Sequence, residues 1–129
     1  MAERPKILWI EDDVFLNTLI ASKFAEREYQ IFLAKDGNSA FEELGRSTPN
    51  IIILDLILPG MDGFEILEKI KKDPRYKAIP VVVLSNLGPE SGMERAKKLG
   101  AIAYLVKADF DLDEVMAKIK KMIPPPTSI

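Results

Sequence analysis

The chain has 129 residues, 47% of them hydrophobic and 29% charged, a composition that fits one globular domain and excludes a disordered or fibrous chain. Its 18 basic and 20 acidic residues give a formal charge of −2, which lacks the positive excess that direct nucleic-acid binding needs. Cysteine and histidine are absent, which excludes disulfides, thiolate chemistry and the commonest general base, so any chemistry rests on carboxylates, hydroxyls, lysine and bound ions.

The predicted elements alternate regularly between strand and helix along the chain. Short apolar segments rich in β-branched residues predict five strands, at residues 7–10, 30–34, 51–54, 81–84 and 103–106. Segments with helical periodicity predict helices near residues 14–28, 38–46, 63–72, 90–99 and 112–122. The first, third and fourth strands are apolar on both faces, which is typical of a parallel sheet covered by helices. The pattern therefore predicts an α/β fold with a doubly wound sheet.

The chain shows no targeting or membrane signal. The first residues lead into the first strand without the apolar core of a signal peptide, and no run of about 18 apolar residues occurs. Together with the absence of cysteine, this predicts a cytoplasmic protein without membrane contact. Pro124, Pro125 and Pro126 cannot extend the last helix, so we place one domain at residues 1–123 and a Pro-rich tail at residues 124–129.

Polar side chains follow four of the five predicted strands. They are Glu11, Asp12 and Asp13 after the first strand, Asp55 after the third, Ser85 after the fourth and Lys107 after the fifth. Ligands of a doubly wound sheet bind beyond the carboxyl ends of its strands, so these side chains are expected at one edge. Clustered carboxylates repel each other unless a hard cation neutralises them. Mg²⁺ fits best, because it uses one or two carboxylates and keeps positions for water and phosphate oxygens.

Each of these residues also has an ordinary structural explanation. An acid before a helix accepts hydrogen bonds from free backbone N–H groups, and for Asp13 alone we favour this capping role. When each residue is considered singly, an ordinary role is favoured over a functional one: a turn residue for Asp55, a loop hydroxyl for Ser85 and a solvated lysine for Lys107. Their joint placement at separate strand ends favours a functional site.

Four motifs resemble response-regulator receiver domains, and the resemblance extends from Lys6 to Ile123. The motifs are ILWIEDD at the end of the first strand, DLILPGMDG beginning at Asp55, LS ending at Ser85 and GAIAYLVK ending at Lys107. The family implies the flavodoxin-like receiver fold, a five-stranded parallel sheet in the order 2-1-3-4-5 with helices on both faces. It also implies a phosphoryl-accepting signalling domain, not an enzyme, with a sensor histidine kinase or a histidine phosphotransfer protein as donor and a downstream protein target that the sequence does not identify.

The resemblance assigns the phosphoacceptor and the metal ligands by position. Asp55 corresponds to the phosphoacceptor and Lys107 to the lysine that contacts the phosphoryl group. Asp12 corresponds to a direct Mg²⁺ ligand, as does Asp55, and Glu11 to an acid that acts on the metal through water. Ile57 corresponds to the position whose backbone carbonyl binds the metal. Mg²⁺ and the lysine would both favour the ionised carboxylate that attack requires.

The resemblance also assigns a switch and a path for water. Ser85 corresponds to the switch hydroxyl and Tyr104 to the aromatic switch, which turns inward after phosphorylation. Ile57 and Leu87 correspond to positions that border the path of hydrolytic water. Because both side chains are apolar and branched, we expect a long-lived phosphorylated state.

Two positions depart from the family pattern: Asn86 is larger than the alanine or glycine that usually follows the switch hydroxyl, and Ala108 replaces a proline. Ala108 follows Lys107 where the family usually has a proline in a cis peptide. A cis bond before alanine would cost about 2.5 to 4 kcal/mol, which favours a trans bond and a different presentation of Lys107.

Three other functions share parts of this pattern. A flavodoxin-like flavin-binding protein has the same fold, but three acids in the first loop would repel the flavin phosphate. A haloacid-dehalogenase-type phosphatase also uses an aspartate nucleophile and magnesium, but it needs an acid two residues later, where this chain has Ile57. A degenerate receiver that acts only as a protein-interaction module stays open, although the intact acids, hydroxyl and lysine oppose it.

Overall fold

The computed structural model describes residues 4–24 and 28–124, in which strands and helices alternate as predicted. The strands are β1 (Lys6–Ile10), β2 (Gln30–Ala34), β3 (Ile51–Leu54), β4 (Val81–Ser85) and β5 (Ala103–Val106). The helices are α1 (Val14–Lys23), α2 (Gly37–Arg46), α3 (Gly63–Lys72), α4 (Pro89–Lys98) and α5 (Leu112–Met122). The predicted Pro-rich tail lies outside the described residues from residue 125 onward.

All the strands pair in parallel in the order β2-β1-β3-β4-β5, which confirms the predicted doubly wound sheet. Every residue of β3 and β4 is buried, because helices cover both faces of the sheet. The register aligns Ile10 of β1 with Leu54 of β3, and Leu54 with Val83 of β4. The central strands therefore end at nearly the same level, and the residues that follow them meet at one edge.

Two apolar clusters, one on each face of the sheet, hold the helices. On one face Ile119 of α5 belongs to the same cluster as Trp9 of β1. On the other face Leu44 of α2, Leu67 of α3 and Ala96 of α4 belong to the second cluster. Burial of one leucine or isoleucine side chain stabilises a fold by about 1.5–3 kcal/mol. These clusters fix the helices against the sheet and thereby fix the strand ends that carry the polar residues.

Three predicted helices differ in their bounds from the structure, and the smallest difference is in α2, which begins at Gly37 and not at residue 38. The first helix was predicted to reach residue 28, but α1 ends at Lys23. Phe24 has left the helical conformation, with φ −107° and ψ 52°, and its ring stacks on Trp9 with the centroids 6.4 Å apart. The fourth helix was predicted at residues 90–99, but α4 spans Pro89–Lys98, and Leu99 is its C-cap residue. Among the described helices, none has the length and apolar character needed to span a membrane.

Candidate functional site

The polar residues predicted from the strand ends come together at the carboxyl edge of the sheet. Glu11, Asp12 and Asp55 each place a carboxylate oxygen within 4.8 Å of the others. Ser85 is the last residue of β4, Lys107 follows β5, and both side chains donate a hydrogen bond to Asp55. Segments far apart in the sequence therefore form one site.

Asp55 lies at the centre of this site and is only 5% exposed. Its Oδ1 accepts hydrogen bonds from Ser85 Oγ at 2.7 Å and from the backbone N–H of Ile57 at 3.1 Å. Its Oδ2 accepts a hydrogen bond from Lys107 Nζ at 2.7 Å. Hydrogen bonds to a carboxylate are roughly twice as strong as those between neutral groups. The two oxygens are therefore held in one orientation by different donors.

The loop after β3 is fixed by a close approach to the start of α3. The Gly63 N–H donates to the carbonyl oxygen of Leu56 at 3.0 Å. A Cβ on Gly63 would lie 2.4 Å from the carbonyl oxygen of Asp55, a distance that no side chain tolerates. Gly63, the last glycine of the DLILPGMDG motif, is therefore required by packing against the backbone of Asp55.

The three acidic residues of the loop after β1 have different roles, since one caps a helix and two belong to the site. Glu11 is buried, whereas Asp12 and Asp13 are exposed. Asp13 caps α1 by accepting a hydrogen bond from the Leu16 N–H at 3.1 Å, which confirms its predicted capping role. Asn17 Nδ2 donates to the carbonyl oxygen of Glu11 at 2.8 Å and ties the loop to α1. Asn17 was not predicted, because a polar residue on a helix gives no sign in the sequence of a contact back to the preceding loop.

Lys107 bridges the two buried carboxylates. Its side chain is 17% exposed, and Nζ forms ion pairs with both Glu11 and Asp55. Burial disfavours the charge on Lys107, but the hydrogen bonds to Asp55 and Glu11 outweigh burial and raise the pKa of Lys107 above its usual value. Burial raises the pKa of Glu11, against the hydrogen bonds from Lys107 and the Asp13 N–H. The ammonium is therefore a permanent positive charge at neutral pH.

The backbone around Lys107 has the favoured trans geometry. No cis peptide bond occurs within the described ranges, so the bond before Ala108 is trans. A short 3-10 turn covers Lys107–Asp109, and the Phe110 N–H donates to the carbonyl oxygen of Lys107 at 3.3 Å. With this backbone the Lys107 ammonium still contacts both carboxylates.

The acidic residues fit the Mg²⁺ ion that the sequence predicts. Three carboxylates against one ammonium leave a formal charge of −2 at the site. Glu11 Oε1 is buried and forms the ion pair with Lys107. A cluster of oxygen ligands with excess negative charge is the environment that hard divalent cations prefer. Glu11, Asp12 and Asp55 would hold the ion.

Tyr104 is turned into the protein, and a path of hydrogen bonds connects it to Asp55. Its side chain is 8% exposed and its hydroxyl donates to the carbonyl oxygen of Leu87 at 2.7 Å. The Leu87 N–H donates to Ser85 Oγ at 3.3 Å, and Ser85 Oγ donates to Asp55. Burial raises the pKa of the Tyr104 phenol. The hydroxyl therefore does not lie in water, as it would in a half-buried strand tyrosine.

The two residues predicted to border the path of water have different environments. Ile57 is 57% exposed beside the Asp55 loop. Leu87 is partly buried and packs against the apolar cluster beneath α4. Their effect on the lifetime of a phosphoryl group stays a prediction.

Comparison with known proteins identifies the family. The family described as response regulator receiver domain matches residues 7–120. The chain is 33% identical over 119 residues to sporulation initiation phosphotransferase F of Bacillus subtilis (strain 168), covering 92% of this chain and 94% of that protein. It also resembles the structure of the phosphorylated cyanobacterial phytochrome response regulator RcpA, with 32% identity, a TM-score of 0.79 and coverage of 93% and 91% of the two chains.

A further similar structure is the Mn²⁺-bound form of response regulator Rcp1, with 28% identity, a TM-score of 0.77 and coverage of 97% of this chain and 99% of that chain. The match over residues 7–120 favours a receiver over the flavin-binding and phosphatase alternatives, with which only parts of the pattern agree. The chain therefore belongs to the response regulator receiver domains, which are signalling modules of two-component phosphorelays and not classical enzymes.

Proposed function

We propose that this receiver domain accepts a phosphoryl group on Asp55, with Mg²⁺ held by the acidic loop, from a sensor histidine kinase or a histidine phosphotransfer protein. One observation carries the proposal. The buried Asp55 carboxylate is contacted on one oxygen by the Ser85 hydroxyl and on the other by the Lys107 ammonium. These are the donors that a new phosphoryl group at the same place would require.

The chemistry follows from the charges at the site. Attack by Asp55 on a phosphohistidine that is protonated on its other ring nitrogen forms a carboxylate O–P bond and breaks the P–N bond, and the donor ring leaves as neutral imidazole with the electron pair of that bond. Attack brings two anions together, and Lys107 lowers that repulsion because its ammonium lies 2.7 Å from Asp55 Oδ2. Bound Mg²⁺ supplies further neutralisation of the phosphoryl oxygens. Lys107 and Ser85 then transfer their hydrogen bonds from the carboxylate to these oxygens.

The path from Asp55 to Tyr104 connects this event to the protein surface. A phosphoryl group adds negative charge and acceptor oxygens at Asp55, which attract the Ser85 hydroxyl. Ser85 Oγ also accepts the Leu87 N–H, and Leu87 accepts the Tyr104 hydroxyl, so a change at Ser85 alters the contacts between the β4–α4 loop and β5. We propose the surface of α4 and β5 as the region that a downstream protein distinguishes.

Two similar structures support the proposal, since one is a phosphorylated response regulator and the other is a Mn²⁺-bound one. The test is incubation with a small phosphodonor and Mg²⁺, followed by intact mass measurement. We expect wild type to gain one phosphoryl group and Asp55→Asn to gain none, because asparagine keeps the shape and removes the nucleophile.

Asp62→Asn is the matched control, because Asp62 is an exposed acid of the same loop that caps α3 and should not affect labelling. Chelation of the metal should suppress labelling of wild type. Equal labelling of wild type and Asp55→Asn would contradict the assignment, and the absence of labelling in wild type would favour a degenerate receiver.

A further inference from the structure

We infer that Gly92 of α4 is the positioning residue that allows Tyr104 to lie buried against α4 in this chain. The consequence for signalling rests on the proposed function, whereas the effect on Tyr104 does not. Gly92 would thereby couple helix α4 to the hydrogen bonds that lead to Asp55.

The Tyr104 hydroxyl lies where a side chain at position 92 would begin. A Cβ on Gly92 would lie 2.9 Å from the Tyr104 hydroxyl oxygen and 2.8 Å from Leu87 Cδ2. It would also lie 3.2 Å from Phe64 Cζ. The first two distances are shorter than those that real Cβ atoms show, so alanine at position 92 requires its neighbours to move.

Among these neighbours, Tyr104 is the side chain that a small shift cannot move away from the new Cβ. Leu87 Cδ2 is the end of a flexible side chain, whereas the Tyr104 hydroxyl is at the end of a rigid ring and is held 2.7 Å from the Leu87 carbonyl oxygen. The Phe64 side of the space is also packed, because the Arg95 guanidinium lies 4.1 Å from the Phe64 ring centroid. In Gly92→Ala, the Tyr104 ring therefore relieves the contact with the new Cβ by turning outward toward solvent.

Backbone conformation does not explain the glycine at position 92. The glycines with positive φ in the described residues are Gly60 and Gly100, so Gly92 has a conformation open to any residue. Glycine inside a helix is less stable than alanine, because it loses more backbone freedom on folding. Gly92 is buried within α4, and the space that it leaves is filled by Tyr104 and Leu87. Packing, and not backbone geometry, accounts for this residue.

Gly45 of α2 provides a matched control. It is also a helical glycine without positive φ, but a Cβ built on it would meet no atom within 4 Å. Gly45→Ala should therefore have only the ordinary effect of alanine on a helix. Gly92→Ala should gain the same helix stability from alanine and, in addition, displace Tyr104.

The first test observes Tyr104 directly in unphosphorylated, metal-free protein that contains 3-fluorotyrosine. The fluorine resonance of Tyr104 is assigned with Tyr104→Phe, and its exposure is measured with a soluble paramagnetic quencher. We expect protection of this resonance in wild type and in Gly45→Ala, and loss of protection in Gly92→Ala. A Gly92→Ala protein in which the resonance is as protected as in wild type would overturn the inference.

A double-mutant cycle in urea provides the second test. In wild type, Tyr104→Phe removes the hydrogen bond to Leu87 and should increase the unfolding equilibrium constant about fivefold. In Gly92→Ala the hydroxyl is already displaced, so Tyr104→Phe should have little effect or stabilise the protein. If Gly92→Ala does not fold alone, rescue by Tyr104→Phe supports the inference. Equal effects in the two backgrounds, or no rescue, would overturn it.

Neither test depends on phosphorylation. If Asp55→Asn is labelled like wild type, the proposed function fails while the result for Gly92 stands. If Tyr104 stays protected in Gly92→Ala, the inference about Gly92 fails, while the proposed phosphorylation of Asp55 still stands.

Discussion

Replacement of Lys107 by methionine should strongly destabilise the metal-free protein. Methionine keeps the length of the side chain but removes the charge that bridges Glu11 and Asp55, whose side chains are 1% and 6% exposed. Loss of one partner of a buried ion pair costs about 3–5 kcal/mol, because the remaining charge stays buried. Lys107 is 17% exposed, so we expect the lower end of this range, about 3 kcal/mol. This corresponds to a roughly 150-fold larger unfolding equilibrium constant.

Urea unfolding at neutral pH in a chelator measures this loss, and added Mg²⁺ provides a second reading. An ion at 100 times its dissociation constant stabilises a protein by about 2.7 kcal/mol. Because Mg²⁺ would replace the lost positive charge, it should stabilise Lys107→Met more than it stabilises wild type.

The loss of stability in Lys107→Met should also depend on pH, and it should be smaller at acidic than at neutral pH. Burial raises the pKa of Glu11 and Lys107 opposes this, so without Lys107 the pKa of Glu11 rises further above its unfolded value. A carboxyl group with a raised folded pKa stabilises the fold when it is protonated, and this contribution is lost as pH rises through the folded pKa. The deficit of Lys107→Met relative to wild type should therefore shrink as pH falls from neutral toward about 4.3.

Lys72→Met is the control, since Lys72 is exposed and pairs with Glu68, one helical turn away, at 3.5 Å. Such pairs contribute about 0.3–0.5 kcal/mol. A loss in Lys107→Met as small as in Lys72→Met, with equal responses to Mg²⁺ in mutant and wild type, would refute the bridging role of Lys107.

Three further predictions concern the metal, the switch and the lifetime of the phosphoryl group. Asp12→Ala should weaken Mg²⁺ binding at least as much as loss of an outer partner does, which is roughly 10- to 100-fold. Asp13→Ala should mainly cost about 1 kcal/mol of helix capping. Titration calorimetry checks both, and the reverse order of affinities would mean that the ligand is the other acid. Tyr104→Ala should leave phosphorylation largely intact by intact mass but change hydrogen exchange in α4 and β5, whereas collapse of labelling would make Tyr104 structural. The double variant Ile57→Asn, Leu87→Glu should lose its phosphoryl group faster than wild type after the donor is removed, and equal decay would exclude these side chains as barriers to water.

The sequence by itself determined the sheet, its helices and the types of residue at its edge. Runs such as Ile51–Leu54 consist of large aliphatic residues with no polar position, and such runs are stable only in a sheet covered on both faces. The capping role of Asp13 was also predictable, because a cap contacts a backbone group three residues away. Information of this kind is local or periodic, which is why it can be read along the chain.

Only the tertiary structure decided how the edge residues meet. Lys107 and Asp55 are 52 residues apart in the sequence, and the bridge from Lys107 to Glu11 depends on where β5 ends relative to β1. The buried Tyr104 hydroxyl lies 2.9 Å from the place where a Cβ on Gly92, a residue of another element, would be. Such contacts depend on distances between elements after packing, and no spacing along the chain encodes those distances.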